Sequence, residues 1–317
     1  MKAIIPSDVA TRLCAKLVNA APGLQILPMA SSSKILPEMN DAEILLYHYS
    51  LRPDVIPRLI RAVPSLRWIH SVSAGVDHLL CHELLESPII FTNSVGAHAP
   101  SIAESVMGML LFVVKHLGER WDAQKVHHWQ KVQNDELGGK TIGIIGLGHV
   151  GLELARRAKA FGMRVVATKR HPNPAADVDQ VWGPEDLPHL LAEADYVVMC
   201  AALTGKTRGM MGEPELRQMK ATAYFINISR GALVVEEVLL RALRERWIAG
   251  ACLDVFVQEP LPPENPFWDL PNVFITPHNS ASTPQQIERA LDIFVENLKR
   301  YQGGERLMNV VDKHRGY

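Results

Sequence analysis

Three polar residues stand just beyond apolar segments in the C-terminal half of the sequence. Arg230 follows "AYFINIS", Glu259 follows "GACLDVF" and His278 follows "NVFIT". Short, continuously apolar runs separated by helical patterns predict parallel strands that are covered on both faces. Because ligands of open α/β sheets bind at the carboxyl ends of the strands, we expect these three side chains at one edge of a sheet.

An arginine, a carboxylate and a histidine are the groups that reduction of a 2-oxo acid requires from a protein. The fork-shaped guanidinium of Arg230 can bind a carboxylate and the adjacent carbonyl oxygen. His278 can give a proton, since a free imidazole titrates near neutral pH, and Glu259 would favour the imidazolium and fix its orientation. Each residue alone has a structural explanation, in a loop or a turn. The ordered trio, behind a nucleotide-binding loop, favours catalysis.

That nucleotide-binding loop is a glycine motif near the middle of the chain. Gly146, Gly148 and Gly151 form GxGxxG between the predicted strand "KTIGIIG" and a predicted helix over 149–161. The first glycine permits the tight turn, the second lets the backbone approach a pyrophosphate, and the third lets the helix pack against the strand. The helix N-terminus offers free N–H groups to the phosphates. A glycine turn with packing roles only is the alternative, and the strand–loop–helix–strand order favours nucleotide binding.

Two cations follow the next strand, at the place where NAD-binding units usually carry an acid. Lys169 and Arg170 come directly after "RVVAT", which ends at Thr168. Together these residues can pair with a 2′-phosphate through charge-assisted hydrogen bonds. We therefore expect NADP(H) to be preferred, with NAD(H) possible. The alternative is that both cations are solvated loop residues.

The elements that would position these residues form two α/β regions. The first hundred residues alternate short apolar runs with helical segments, and the doubly wound pattern follows after a polar stretch. Between them, "APSIAESVMGMLLFVVKHLGER" predicts a helix, with Ser101 as N-cap and Gly118 as its end. It is apolar nearly all round, which indicates burial in a large core or at a subunit interface. The last helix is predicted to start at Thr283 and Pro284 and to end at Gly303.

Composition limits the classes of partner. The chain has 317 residues, a net charge of −1 and 47% hydrophobic residues, so no global field draws it to nucleic acid or to an anionic membrane. The four cysteines are scattered, with neither a CxxC pair nor metal-ligand spacing. We expect a cytoplasmic enzyme with no metal, no nucleic-acid partner and no membrane segment.

Seven stretches together resemble the motifs of the D-isomer-specific 2-hydroxyacid dehydrogenase family. The resemblance extends from about Leu66 over the rest of the chain. Its stretches are "SVSAGVDHL", "APSIAESVMGMLL", "GLGHVG", "LTGKT", "NISRGALVVEEVLLRAL", "LDVFVQEPLP" and "NPFWDLPNVFITPH". The fold implied is a doubly wound Rossmann dinucleotide-binding domain, residues 100–283, inserted in a smaller flavodoxin-like α/β substrate domain, residues 1–99 and 284–317. A homodimer is also implied, with Ala99–Leu117 as interdomain and dimer helix.

The resemblance implies a role for each matching residue. Arg230, Glu259 and His278 would be catalytic, and the backbone N–H groups of Ala74 and Gly75 would bind the substrate carboxylate. Asp254 would lie near the nicotinamide carboxamide. His149 stands where the family varies, and it either contacts the pyrophosphate or only caps the helix. The cofactor-binding set is Gly146, Gly148, His149, Val150, Gly151, Thr168, Lys169, Arg170, Thr207 and Asp254.

Departures from the family pattern bear on specificity. Ala202 replaces the proline that often precedes "LT", and Asn279 and Ser280 follow His278 in place of a small residue and glycine. Glu259 argues against the related formate dehydrogenases, which resemble this chain but carry glutamine there. The expected activity is reduction of a 2-oxo acid, such as glyoxylate or hydroxypyruvate, to a D-2-hydroxy acid. The alternative is an NAD(P)-sensing binding protein, like some corepressors of the family.

Overall fold

The computed structural model describes residues 1–315, without the side chains of residues 14, 15 and 18. The chain divides into two compact units. One is formed by Met1–His98 together with the segment from Thr283 onward, and the other by Ala99–Ser282. The first unit is therefore built from two separate stretches of sequence.

The first unit contains a five-stranded parallel sheet. Its strand order is β2-β1-β3-β4-β5, which is the flavodoxin-like order. The strands are apolar on both faces because helices cover both sides of a parallel sheet. The elements are β1 (Lys2–Pro6), α1 (Ser7–Ala20), β2 (Gln25–Met29), β3 (Ile44–Tyr47), α2 (Val55–Ala62), β4 (Trp68–Ser71), α3 (His82–Leu85) and β5 (Ile90–Asn93).

The second unit contains a seven-stranded parallel sheet of the doubly wound type. Its order is β12-β11-β10-β9-β6-β7-β8, and the direction in which successive strands are added to the sheet reverses between β6 and β9. The prediction of two parallel α/β sheets is thus confirmed. The elements are α4 (Ala99–Val114), α5 (Leu117–Lys125), β6 (Thr141–Ile145), α6 (His149–Ala160), β7 (Arg164–Thr168), β8 (Gln180–Trp182), α7 (Leu187–Glu193), β9 (Tyr196–Met199), α8 (Glu213–Gln218), β10 (Tyr224–Asn227), α9 (Glu236–Arg244), β11 (Gly250–Leu253) and β12 (Val273–Ile275).

The last helix, α10 (Pro284–Gln302), belongs to the first unit. Its start agrees with the sequence prediction, since the Thr283 hydroxyl accepts from the backbone N–H of Gln286 at 3.1 Å and Pro284 is the first helical residue. Its apolar face is buried in the core of that unit with Trp68 and residues of β1 and β3. The buried side chains of that face include Leu291, Phe294 and Leu298.

The predicted ends of the apolar helix were wrong. Ser101 lies inside α4 rather than at its N-cap, and its hydroxyl donates to the carbonyl oxygen of Ala281 at 3.2 Å. The helix ends at Val114, where His116 takes the left-handed backbone with φ of 49°, and Gly118 lies inside α5. Among the described residues, no single helix is long and apolar enough to cross a membrane, and the bent pair α4–α5 satisfies those criteria only jointly.

Candidate active site

His278 and Glu259 form a direct pair at the carboxyl edge of the seven-stranded sheet. His278 follows β12, Glu259 follows β11, and the imidazole Nδ1 lies 2.6 Å from Glu259 Oε2. Because an ionised carboxylate can only accept, Nδ1 carries a proton in this pair. The side chain of His278 keeps 46% of its surface exposed. Nε2 is therefore the nitrogen that can exchange a proton with a bound molecule.

The backbone of His278 is held in an unusual conformation by Asp254. Its φ is +50°, and its N–H donates to the carbonyl oxygens of Asp254 at 2.8 Å and Thr276 at 3.1 Å. The Asp254 carboxylate is buried and accepts from the Thr276 hydroxyl at 2.5 Å and from the N–H groups of Asn279 and Ser280 at 3.1 and 3.2 Å. Strained backbone persists only where its surroundings determine it, and here one carboxylate anchors both sides of the histidine.

Arg230 lies in a turn after β10 that is packed against the segment carrying Glu259. Its guanidinium Nη1 donates to the carbonyl oxygen of Ser229 at 2.8 Å, and the Asn227 side-chain amide donates to the Arg230 carbonyl oxygen at 3.0 Å. A Cβ at Gly231 would come within 2.1 to 2.5 Å of backbone atoms of Phe256 and Val257. Glycine is required there because two backbones touch, and this contact links the Arg230 turn to the Glu259 loop.

The glycine loop has the geometry that a pyrophosphate needs. Gly146 has φ of +97°, and a Cβ there would collide with the backbone of Ala201 at 2.7 Å. A Cβ at Gly151 would lie 2.8 Å from the Gly146 carbonyl oxygen, so the helix approaches its strand closely. A Cβ at Gly148 would meet nothing within 4 Å, which leaves the start of α6 open to an anion. The loop thus fits a bound dinucleotide.

The two cations stand beside that loop. Thr168 ends β7, and its carbonyl oxygen accepts from the N–H groups of Gly146 and Leu147 at 3.1 and 3.2 Å. Lys169 is partly buried and its Nζ lies 3.4 Å from Asn173 Oδ1, while Arg170 is exposed. The two hydrogen bonds to the Thr168 carbonyl oxygen join the strand end to the glycine loop. A phosphate at this position would meet two positive charges.

The other predicted cofactor residues have different surroundings. His149 is the exposed first residue of α6, and Val150 after it is partly buried. The Thr207 hydroxyl donates to the Ala202 carbonyl oxygen at 2.7 Å and accepts from the Thr204 N–H at 2.8 Å. Thr207 therefore closes its own loop, at the point where the expected proline is absent.

Ala74 and Gly75 follow β4 in the first unit, and they present backbone donors. The Ala74 carbonyl oxygen accepts from the Asn93 side-chain amide at 2.8 Å, which fixes the loop. Over residues 1–315, neither N–H group of Ala74 or Gly75 has an acceptor within the chain. Adjacent unpaired N–H groups in a turn suit a carboxylate.

Three residues that organise the site were not predicted. Asn227 orders the Arg230 turn, Thr276 bonds to Asp254, and Glu236 accepts from the N–H of Val257 at 2.6 Å. Asn227 and Thr276 are short polar residues at the carboxyl end of an apolar run, and that position was the available signal. For Glu236 the sequence gives no signal, because its partner is a backbone group twenty-one residues away.

The fold and the site together define an oxidoreductase class. A doubly wound sheet, a glycine loop at its switch point and an acid–base pair at the same edge belong to enzymes that use a nicotinamide dinucleotide. The comparisons with known proteins agree. The sequence model of "D-isomer specific 2-hydroxyacid dehydrogenase, NAD binding domain" matches residues 107–280, which is over half of the chain. The chain therefore belongs to the D-isomer-specific 2-hydroxyacid dehydrogenase family.

Individual relatives cover the chain nearly end to end. A glyoxylate reductase of Thermofilum pendens is 33% identical over 298 residues, which are 89% of this chain and 85% of that protein. A D-isomer specific 2-hydroxyacid dehydrogenase of Xanthobacter autotrophicus Py2, solved with NADPH and MES, has a TM-score of 0.86 and 29% identity, covering 100% and 99% of the two chains. An NADPH-dependent glyoxylate/hydroxypyruvate reductase of Sinorhizobium meliloti, solved with NADP and sulfate, has a TM-score of 0.83 and 28% identity with the same coverage.

Proposed function

We propose that this protein reduces a short 2-oxo acid, with glyoxylate and hydroxypyruvate as the first candidates, to the D-2-hydroxy acid and prefers NADPH. The observation that carries the proposal is the 2.6 Å contact between His278 Nδ1 and Glu259 Oε2, which leaves Nε2 of a half-exposed imidazole for proton transfer. The relatives named glyoxylate reductase support the choice of substrate. The sensing-protein alternative has no comparable support among them.

The reaction assigns one task to each residue of the trio. Arg230 binds the substrate carboxylate and orients the adjacent carbonyl. The backbone N–H groups of Ala74 and Gly75 are proposed as donors to a substrate carboxylate. His278 gives the Nε2 proton to the carbonyl oxygen, and Glu259 stabilises the imidazolium before that transfer. The nicotinamide, when bound, supplies the hydride.

The cofactor proposal rests on the second unit. The loop of Gly146, Gly148 and Gly151, with the first turn of α6 at His149 and Val150, would hold the pyrophosphate. Thr168, Lys169 and Arg170 would bind the 2′-phosphate. Thr207 would contribute by shaping its loop. The Asp254 carboxylate already has three donors around it, so its proposed place near the carboxamide includes holding the His278 loop.

The decisive experiment is a substrate panel with both cofactors. Glyoxylate, hydroxypyruvate, pyruvate and longer 2-oxo acids are assayed by loss of NADPH or NADH absorbance, and the product is analysed on a chiral column. We expect turnover with a small 2-oxo acid, a D-product and a higher kcat/KM with NADPH. Tight cofactor binding without turnover of any 2-oxo acid would support the sensing protein instead.

A further inference from the structure

Glu236 is a half-buried carboxylate that the proposed reaction does not yet use. It is the first residue of α9, six positions after Arg230, and its Oε1 accepts from the N–H of Val257 at 2.6 Å. This distance is short for a backbone N–H and is typical of a charge-assisted bond. Its neighbour Glu237 is exposed.

The partner of Glu236 belongs to the peptide between Phe256 and Val257, and three contacts hold this peptide and the preceding one, between Val255 and Phe256. The Val257 N–H is bound by Glu236. The Phe256 N–H donates to Glu259 Oε1 at 2.9 Å. Gly231 packs directly against the same backbone, so close that no side chain would fit. Two consecutive peptides that meet at Phe256 thus connect the Arg230 turn, Glu236 and the carboxylate that holds His278.

The small volume of the cavity around Glu236 also restricts the position of its side chain. The side chain lines a cavity of about 10 Å³, which is room for about one water molecule. Asn227, which orders the Arg230 turn, and Gly231 line the same cavity. A change in the Glu236 side chain would therefore affect the supports of both Arg230 and Glu259.

We propose that Glu236 is a positioning residue for this reaction, which fixes the Phe256–Val257 peptide and, through the adjoining N–H of Phe256, the Glu259 carboxylate and the His278 imidazole. The inference rests on the proposed function for its catalytic consequence. The restraint of the Glu259–His278 pair is supported by the contacts alone and does not depend on the proposed function.

The charges nearby are consistent with this coupling. Burial raises the pKa of Glu236, the N–H of Val257 opposes that rise, and the charge of Glu259 adds to it. The titratable groups to consider are Glu259 with His278 on the loops after β11 and β12, Arg230 after β10, and the exposed Glu237 on α9 itself. The two carboxylates therefore act on each other as well as on two adjacent peptides.

The test compares Glu236→Ala and Glu236→Gln with Glu237→Ala as the matched control. In Glu236→Ala we expect kcat to fall at least tenfold, with the Kd for NADPH within twofold of the parent. The upper limb of the pH profile should shift to lower pH, because a loosened Glu259 stabilises the imidazolium less. Glu236→Gln should recover most of kcat, because its amide oxygen can still accept from Val257. Glu237→Ala should match the parent.

Two readouts do not depend on turnover. Hydrogen exchange should show the Val257 amide exchanging at least tenfold faster in Glu236→Ala than in Glu237→Ala, and an NMR titration should show a lower pKa for His278. An unchanged exchange rate and an unchanged His278 titration would overturn the inference whatever the activity. If the parent protein turns over no 2-oxo acid, the proposed function fails, and these two measurements still decide the role of Glu236. A loss of thermal stability with an unaltered pH profile would also count against it.

Discussion

The chemistry of His278 depends on the groups that hold its ring and its backbone. Glu259 fixes the ring through Nδ1, and Asp254 fixes the positive-φ backbone from both sides. Neither carboxylate has to bind the substrate in order to influence proton transfer by His278. A histidine held in this way has only one nitrogen available for proton transfer, which is the arrangement that a general acid needs.

The first prediction concerns that nitrogen. His278→Ala should lower kcat for the best 2-oxo acid by about 10²- to 10⁴-fold, the usual contribution of a general acid. Binding of NADPH, followed by fluorescence titration, should change by less than about twofold, because the glycine loop is untouched. His189→Ala, a change at an exposed histidine of α7, is the control and should leave both quantities unchanged. Near-normal rates in His278→Ala at neutral pH would remove His278 from the proton step.

At the scale of elements, the proposed preference for NADPH depends on β7 and the residues after it. Backbone hydrogen bonds join the strand end to the glycine loop, an arrangement that would hold Lys169 and Arg170 next to a bound nucleotide. An exposed ion pair in high dielectric contributes little. A dianionic phosphate bound by two cations through charge-assisted hydrogen bonds contributes more.

The second prediction tests that pair of cations. The double change Lys169→Ala with Arg170→Ala should lower the ratio of kcat/KM for NADPH to that for NADH by about 10- to 100-fold, since hydrogen bonds to charged groups contribute about 1.5–3 kcal/mol. The decrease should occur in kcat/KM for NADPH, whereas kcat/KM for NADH should be nearly unaffected. Lys159→Ala is the control, because Lys159 lies on α6 and pairs with Asp179. An unaltered ratio would mean that both cations are solvated loop residues.

The strands β4 and β5 carry a buried polar cluster that makes the first unit sensitive to acid. The ring nitrogens of His70 lie 2.8 Å from the Thr92 hydroxyl and 3.1 Å from the Ser94 hydroxyl, and the Trp68 indole N–H donates to Thr92 at 2.7 Å. The imidazole is fully buried, and burial lowers the pKa of His70 to about 3. Folding therefore requires the neutral ring.

The third prediction gives the pH dependence of stability. The unfolded chain binds a proton at His70 with a pKa near 6.5, whereas the folded chain does so only near pH 3. The stabilisation is therefore complete above pH 6.5 and decreases as the pH falls towards 3. By linkage, about 2 kcal/mol should be lost by pH 5 from this group alone. Urea unfolding at pH 7 and pH 5 measures the loss, and His70→Asn should reduce the pH difference.

Some features of the fold could be predicted from the sequence and others could not, and the difference has a physical cause. The start of α10 was predictable because Thr283 and Pro284 are local signals, and the glycine loop because its order along the chain is local too. The ends of α4 were not, because Ser101 has a partner 180 residues away and a histidine rather than glycine takes the left-handed turn at 116. The trio could be proposed from strand ends, whereas the anchoring by Asp254 and Glu236 depends on loop geometry.

At the scale of the whole molecule, the apolar helix α4 bears on the predicted dimer. Its all-round apolarity indicated a large core or a subunit interface, and the family resemblance implied an interdomain and dimer helix, which stays a prediction. Much of that surface is buried within the second unit, where α4 packs on α6, and Val106, Met107 and Leu110 are in its core. A group of exposed large apolar side chains lies in the segment that follows α4 in the sequence. Among the described residues, Trp129 at 89% and Val126 at 73% are the most exposed large apolar side chains, and Trp121 nearby is 61% exposed.

The fourth prediction follows from that segment. Large apolar side chains gathered in 121–129 are typical of an interaction site, and a second copy of the chain is the partner we propose. The protein should sediment in a reducing, cytoplasm-like buffer as a dimer of 35.2 kDa chains at micromolar concentration. The change Val126→Glu with Trp129→Glu should convert it to monomer, since a charge at an apolar contact must be desolvated without a partner. Trp268→Glu, at another exposed tryptophan of the same unit, should remain dimeric. If the parent protein sediments as a monomer over the same concentration range, these side chains serve another contact.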